Sequence, residues 1–156
     1  MKVIVVGKGG REHALVTALA ESESSPEVYC YPGSDAIFEL AKQLSGEVSD
    51  VDSLVDAMIN ESIDFCVGGE ESWLAKGLAD RAREKGIPTW GPVKGSAQLE
   101  ASKEFAKEFM FRHNIPTGGY EAANDYESAM AAIKKYPTVL KFDGLAAGKG
   151  VAICSD

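Results

Sequence analysis

Gly7-Lys8-Gly9-Gly10-Arg11 places three glycines and two cations within five residues. Glycines let a backbone approach an anion closely, and the N–H groups of a helix's first turn then face it. Arg11 can add a two-pronged contact to a phosphate. Glu12 and His13 follow directly. A second cluster lies near the other end, where Lys141 and Asp143 precede Gly144-Leu145-Ala146-Ala147-Gly148-Lys149-Gly150. Both clusters suggest phosphate binding, yet neither has a standard nucleotide spelling. Glu12 stands where the third glycine of G-x-G-x-x-G belongs, and the next strand ends in Cys30-Tyr31 instead of a ribose-binding acid, which argues against NAD or FAD. Lys149 is followed by Gly150-Val151 and not by Ser or Thr, so a Walker reading fails as well. A glycine loop between antiparallel strands can fold over a triphosphate as a flap. Taken alone, such a loop is more often a plain hairpin with solvated lysines.

The elements around these residues give the fold class, α/β. Lys2 to Val6 is a short apolar, β-branched run, hence a buried strand, and Arg11 to Ala20 resumes with helical spacing. Ala14, Leu15, Ala18 and Leu19 share one face of that helix, and His13 projects away from it with Thr17. Spacing leaves open whether His13 is solvated or faces a ligand. A strand over Glu27–Tyr31 ends at Pro32-Gly33-Ser34-Asp35, which puts Gly33 on the rim that carries the first glycine loop. Ser49 and Asp50 cap a helix carrying Val51, Leu54, Val55, Met58 and Ile59. Ile63 to Val67 is the next strand, with Gly68-Gly69-Glu70-Glu71 at its carboxyl end. Leu74, Leu78 and Ala82 mark a helix to about Lys85, and Pro88-Thr89-Trp90 is a brief strand. This succession of strand–helix units predicts a Rossmann-like parallel sheet over residues 1–100.

The character changes near residue 100. Ser102 is an N-cap for a helix with Phe105, Ala106, Phe109, Met110 and His113 on one face. Asn124-Asp125 caps a helix from Tyr126 to Lys135, expected to bury Ala129, Met130 and Ile133 before Pro137 stops it. Thr138–Phe142 and Val151–Cys154 are strands flanking the second glycine loop. Residues 101–156 therefore read as the start of a second domain.

With 156 residues, 45% hydrophobic and 26% charged, the chain is ordinary for a globular protein. A formal charge of −8 argues against nucleic acid or an anionic membrane as partner. Any phosphate site must then be assembled locally. Cys30, Cys66 and Cys154 have no metal-ligand or disulfide spacing, which suggests reduced thiols in a cytoplasmic protein. The first strand begins at once, with no signal-peptide pattern, and no apolar run approaches membrane-spanning length.

In this order, GKGGREHA at 7–14, PGS at 32–34, VGGE at 67–70, GP at 91–92, QLEASKEFAKEFM at 98–110, IPT at 115–117 and LKFDGLAAGKGV at 140–151 resemble the glycinamide ribonucleotide synthetase (phosphoribosylamine–glycine ligase) family of the ATP-grasp superfamily. The family usually has Pro where Gly69 stands, Gly where Ala101 stands and Ala where Phe142 stands. The resemblance implies a pre-ATP-grasp domain followed by the beginning of an ATP-grasp domain. It also implies a monomeric ligase that uses ATP and Mg²⁺ to join glycine to 5-phosphoribosylamine in purine biosynthesis. By position, Gly9, Gly10, Arg11, Glu12, His13, Gly33 and Glu70 would face phosphoribosylamine, and Asp143 would contact substrate at the base of the flap. Lys103, Lys141 and Gly144, Leu145, Ala146, Ala147, Gly148, Lys149 and Gly150 would hold ATP. The family's chains continue well past this end, where the magnesium ligands are expected, and no catalytic or metal residue is assigned here. The chain reads as an amino-terminal portion, inactive alone. A non-catalytic phosphoribosyl- or nucleotide-binding module is the alternative, and a biotin-type or aminoimidazole-ribonucleotide carboxylase a more distant one, against which GREHA argues.

Overall fold

A computed structural model of the chain describes residues 1–146 and 149–156. It separates into two compact units, Met1–Ala97 and Gln98–Asp156. The first is a parallel sheet with helices on both faces. Its elements run β1 (Lys2–Gly7), α1 (Gly10–Ala20), β2 (Glu27–Pro32), α2 (Asp35–Phe38), β3 (Lys42–Gln43), α3 (Val51–Asn60), β4 (Phe65–Gly68), α4 (Glu71–Ala75), α5 (Leu78–Glu84) and β5 (Thr89–Trp90). The strand order is β3-β2-β1-β4-β5, so β1 is central and its neighbours come from successive halves of the unit.

Alternation along β1 splits the core between the two faces. Ile4 and Val6 pack on one side with Leu54, Val55, Met58 and Leu78 of α3 and α5. Val3 and Val5 pack on the other with Val16 of α1, Ile37 of α2 and Cys30 of β2. A strand covered on both faces needs an unbroken apolar run, which KVIVV supplies. Each such side chain contributes about 1.5–3 kcal/mol by burial. The Asp50 carboxylate starts α3 by accepting from the Ser53 N–H at 2.8 Å, as its position predicts.

The predicted apolar face of α1 is corrected. Glu12 and Val16 are its buried residues, Leu15 and Leu19 are half-buried, and Ala14 and Ala18 are exposed. The stripe turns because the glycine corner must be filled by a long polar side chain, as described below. The single helix expected through Leu74 and Ala82 is two, broken at Gly77, whose φ of +99° is left-handed and suits glycine. The short edge strand β3 carries no pattern of its own and is unanticipated.

Helix α6 (Lys94–Ala101) crosses from one unit to the next and is likewise unanticipated. The second unit continues with α7 (Lys103–Arg112), α8 (Tyr126–Ala132), β6 (Thr138–Lys141) and β7 (Val151–Cys154), the two strands pairing antiparallel. The Ser102 hydroxyl caps α7 by accepting from the Phe105 N–H at 3.0 Å. The Asp125 carboxylate caps α8 at Ser128. Helix α8 stops at Ala132, short of the expected Lys135, with Ile133 already extended. Met130 is exposed and Ala129 and Ile133 only half-buried, so the expected burial does not occur and little packing supports a longer helix.

Candidate functional site

In an open parallel sheet, ligands bind beyond the carboxyl ends of the strands, where the strand order reverses. Here that crevice opens between β1, followed by α1 towards β2, and β4, followed by α4 towards β5. Backbone hydrogen bonds draw the rim loops together. The Gly33 N–H donates to the Gly7 carbonyl at 3.1 Å, and the N–H groups of Gly69 and Glu70 both donate to Val6 at 2.9 and 3.0 Å. Gly33 has φ +69°, and a Cβ there would sit 2.4 Å from the Phe38 ring, so glycine is required. The structure thus brings Gly9, Gly10, Arg11, Gly33 and Glu70 onto one rim.

Glu12 organises this corner from inside. It is 3% exposed, and its Oε2 accepts from the Gly9 N–H at 2.8 Å while Oε1 accepts from Arg11 Nε at 2.8 Å. A Cβ at Gly7 would lie 2.5 Å from Glu12 Cγ, and one at Gly69 would lie 2.7 Å from the same atom and 2.9 Å from the Val6 carbonyl. The glycines therefore make room for a carboxylate. Both Glu12 oxygens are thus engaged, one by the loop and one by Arg11. His13 is half-buried on the flank of α1, where its carbonyl accepts from the Thr17 hydroxyl. Cys30 underlies the corner, its thiol donating to the Gly7 carbonyl at 3.3 Å. Burial pushes that thiol up to about 11 and Cys66 up to about 12, so neither is a ready nucleophile.

Arg11 is half exposed and bridges the crevice. Its Nη1 donates to Glu71 Oε1 at 2.8 Å, and the hydrogen bonds from Glu71 and then Glu12 raise its pKa. Arg11 in turn holds the Glu71 carboxyl below its ordinary value. Glu70 is the residue just before α4, its N-cap, and accepts from the Ser72 hydroxyl at 2.7 Å. Beside the ion pair lies a cavity of about 600 Å³, with Leu15, Leu74, Trp90 and Pro92 as its apolar wall and Trp90 61% exposed. Arg83 braces the far side by donating to the carbonyls of Thr89 and Gly91. Glu71 and Trp90 were missed as site residues. The only signal for Glu71 was a second acid after Gly68-Gly69-Glu70.

In the second unit Asp143 lies at the base of the loop, against the start of α7. Its carboxylate accepts from the Ser102 hydroxyl at 3.0 Å and from the N–H groups of Lys103 and Glu104, so it closes the start of α7. Partial burial acts to raise its pKa, but these hydrogen bonds outweigh it and hold the carboxyl below its ordinary value. Lys103 Nζ donates to the Gly144 carbonyl at 2.9 Å, so it ties down the base of the loop instead of projecting from it. Lys141 and Lys149 line a cavity of about 480 Å³ with Phe142, Gly150 and Val151. Gly144, Leu145, Ala146 and Gly150 belong to the described part of the loop, and the Phe142 N–H donates to the Gly150 carbonyl across its neck. Ala147 and Gly148 lie outside the described residues. Among the described residues there is no group of three or more His, Cys, Asp or Glu side chains that could hold a metal ion. No helix among them is long and apolar enough to cross a membrane.

Comparison with known proteins joins these two regions. Residues 1–100 match the family described as phosphoribosylglycinamide synthetase, N domain, and residues 101–156 match its ATP-grasp (A) domain. The chain is 41% identical over 158 aligned residues to a phosphoribosylamine–glycine ligase of Caldanaerobacter subterraneus, with 100% of this chain and 38% of that one covered. With the enzyme of that name from Escherichia coli K12 it shares 43% identity, over 98% of this chain and 37% of the relative. The crystal structure of phosphoribosylamine–glycine ligase from Thermotoga maritima superposes with a TM-score of 0.77 at 33% identity, covering 100% of this chain and 36% of that chain. N5-carboxyaminoimidazole ribonucleotide synthetase from Thermus thermophilus, at 17% identity and a TM-score of 0.74 over 99% of this chain and 41% of its own, shares the fold. The chain spans less than two-fifths of the length of the curated relatives it matches. With the family matched along the whole chain, it belongs to the phosphoribosylglycinamide synthetase family.

Proposed function

We propose that this chain supplies the phosphoribosylamine seat and the first part of the nucleotide cleft of an ATP-dependent phosphoribosylamine–glycine ligase. The observation that carries the reading is Arg11, held at the first turn of a glycine-cornered helix over the switch-point crevice, within a chain that matches this family from end to end. In the complete reaction the glycine carboxylate attacks the γ-phosphorus of ATP, ADP departs, and the amine of phosphoribosylamine displaces phosphate from the acyl carbon. The part taken by this chain is positioning. Arg11 and the backbone of Gly10 would orient the ribose phosphate, with Gly9, Glu12, His13, Gly33 and Glu70 around the same corner. Lys141, Lys149 and the loop 144–150 would cover the triphosphate, Lys103 setting the base of that loop through Gly144. The three free cysteines fit a reducing, cytoplasmic setting.

Ribose 5-phosphate titrated into the chain by calorimetry tests the seat. Arg11→Ala is expected to weaken binding by about 1.5–3 kcal/mol, the cost of losing hydrogen bonds to a charged group. Lys8→Ala is expected to cost less, because Lys8 lies between glycines and no ion pair orients it. Equal losses, or none for Arg11, would remove this corner as the phosphate seat. A binding module without turnover is the reading for the 156-residue polypeptide acting alone. It is favoured by the hairpin beside the loop, whose Val139, Leu140, Phe142 and Val151 are exposed and would leave a bound nucleotide open to water. Release of ADP dependent on both glycine and phosphoribosylamine, at a rate within tenfold of a full-length relative, would refute that second reading.

A further inference from the structure

Arg11 is gripped by two carboxylates of opposite character. Glu12 is buried, its other oxygen is committed to the Gly9 N–H, and it grips Nε from within the corner. Glu71 grips Nη1 from the first residue of α4 across the crevice, and its side chain is 42% exposed beside a guanidinium that is 54% exposed. The first partner cannot leave without emptying the space between Gly7, Gly9 and Gly69. The second can swing into water at little cost, as exposed ion pairs are worth only about 0.2–1 kcal/mol. An arginine so held already has an anion on its outward end.

We propose that Glu71 is a resident counter-ion of Arg11 that an incoming phosphate monoester displaces, while Glu12 keeps the guanidinium in register as it changes partner. This rests on the reading of the corner as a phosphate seat. Glu71 lowers the apparent affinity because its carboxylate and the phosphate compete for one set of N–H donors. It also links the loops after β1 and β4 only while the seat is empty, so ligand binding releases α4 from Arg11. Glu71 is a positioning residue and not a ligand of the phosphate, since two anions sharing one guanidinium end would repel.

The test is calorimetric titration of ribose 5-phosphate into the 156-residue chain and its E71Q, E71D, R11A and R11A/E71Q variants, with folding checked by circular dichroism. E71Q is expected to bind about two- to fivefold more tightly than the parent, the fold-change that an exposed ion pair allows. E71D, which restores the charge, is expected to return towards parental affinity. The gain from E71Q is expected to vanish in the R11A background and to shrink as salt screens the pair. A purely structural role for Glu71 would not tighten binding. E71Q binding that is unchanged or weaker, with R11A still impaired, overturns the counter-ion and leaves the phosphate seat standing. If R11A binds as the parent does, the seat itself fails, and the counter-ion with it.

Discussion

The units Met1–Ala97 and Gln98–Asp156 hold their loops by different means. Among the described residues, every buried hydrophobic side chain belongs to the first unit, Ala97 being the last in sequence. Its glycine corner stands on that core, with Val16, Cys30 and the β1 residues beneath it. The second unit is held by exposed or only partly buried polar clamps: Asp125 on Ser128, Asp143 on the start of α7, Lys103 on Gly144, and Lys107 on Thr117 and Gly118. Val139, Leu140, Phe142, Val151 and Ile153 of its hairpin are all exposed. Packing fixes a site to within fractions of an ångström and resists salt and pH. Hydrogen bonds on the surface contribute about 0.5–1.5 kcal/mol each and can be switched one at a time. A rigid seat for the proposed substrate phosphate, and a hairpin held by separable contacts for the proposed nucleotide, are what these two constructions suit.

The comparison breaks most directly at paired leucines. Leu54→Ala, at a fully buried position, is expected to destabilise the first unit by about 2–5 kcal/mol in urea unfolding. Leu140→Ala, at a position 43% exposed, is expected to change stability by about 0.5 kcal/mol or less. Similar losses at the two positions would mean that the hairpin is as well packed as the sheet. A smaller effect sharpens the picture of the corner. Gly69→Ala must push Glu12 aside and crowd the Val6 carbonyl, which is expected to cost about 1–3 kcal/mol and to weaken ribose 5-phosphate binding with it. Lost stability with unaltered binding would separate Gly69 from the seat. The smallest effect concerns the polar clamp at Asp143. Its folded-state pKa is depressed, so its support for α7 is present above the ordinary carboxyl value of 3.8 and is lost as the pH falls below it. Helix content followed by circular dichroism between pH 6 and pH 2.5 is expected to show this loss in the parent and not in Asp143→Asn.

Much of the first unit was legible because its signals are local. KVIVV, the glycines after it and the Asp50 cap each specify their element within a few residues. Gly33 and Glu70 fell on the correct rim once the strands were taken as parallel, since the carboxyl ends of parallel strands share one edge. The buried face of α1 was not legible, because periodicity counts apolar residues and the corner is filled by a glutamate. The Gly77 break was written in the sequence but outweighed by the apolar spacing around it. The contacts of Asp143 and Lys103 could not be read from spacing, as their partners lie some forty residues away and the bonds join a loop to a helix start. Glu71 needed the pairing of β1 with β4 before it could be set opposite Arg11.

The inward Glu12 carboxylate also bears on how this corner can vary. Gly7, Gly9 and Gly69 come from two loops some sixty residues apart, yet a Cβ at any of them would meet the same Glu12 side chain in this structure. Substitutions among them are therefore epistatic. Once a methyl group at one position has dislodged Glu12, a second meets a space already vacated and adds less than it would alone. In this chain the three glycines and Glu12 therefore act as one packing unit, whose substitutions do not add.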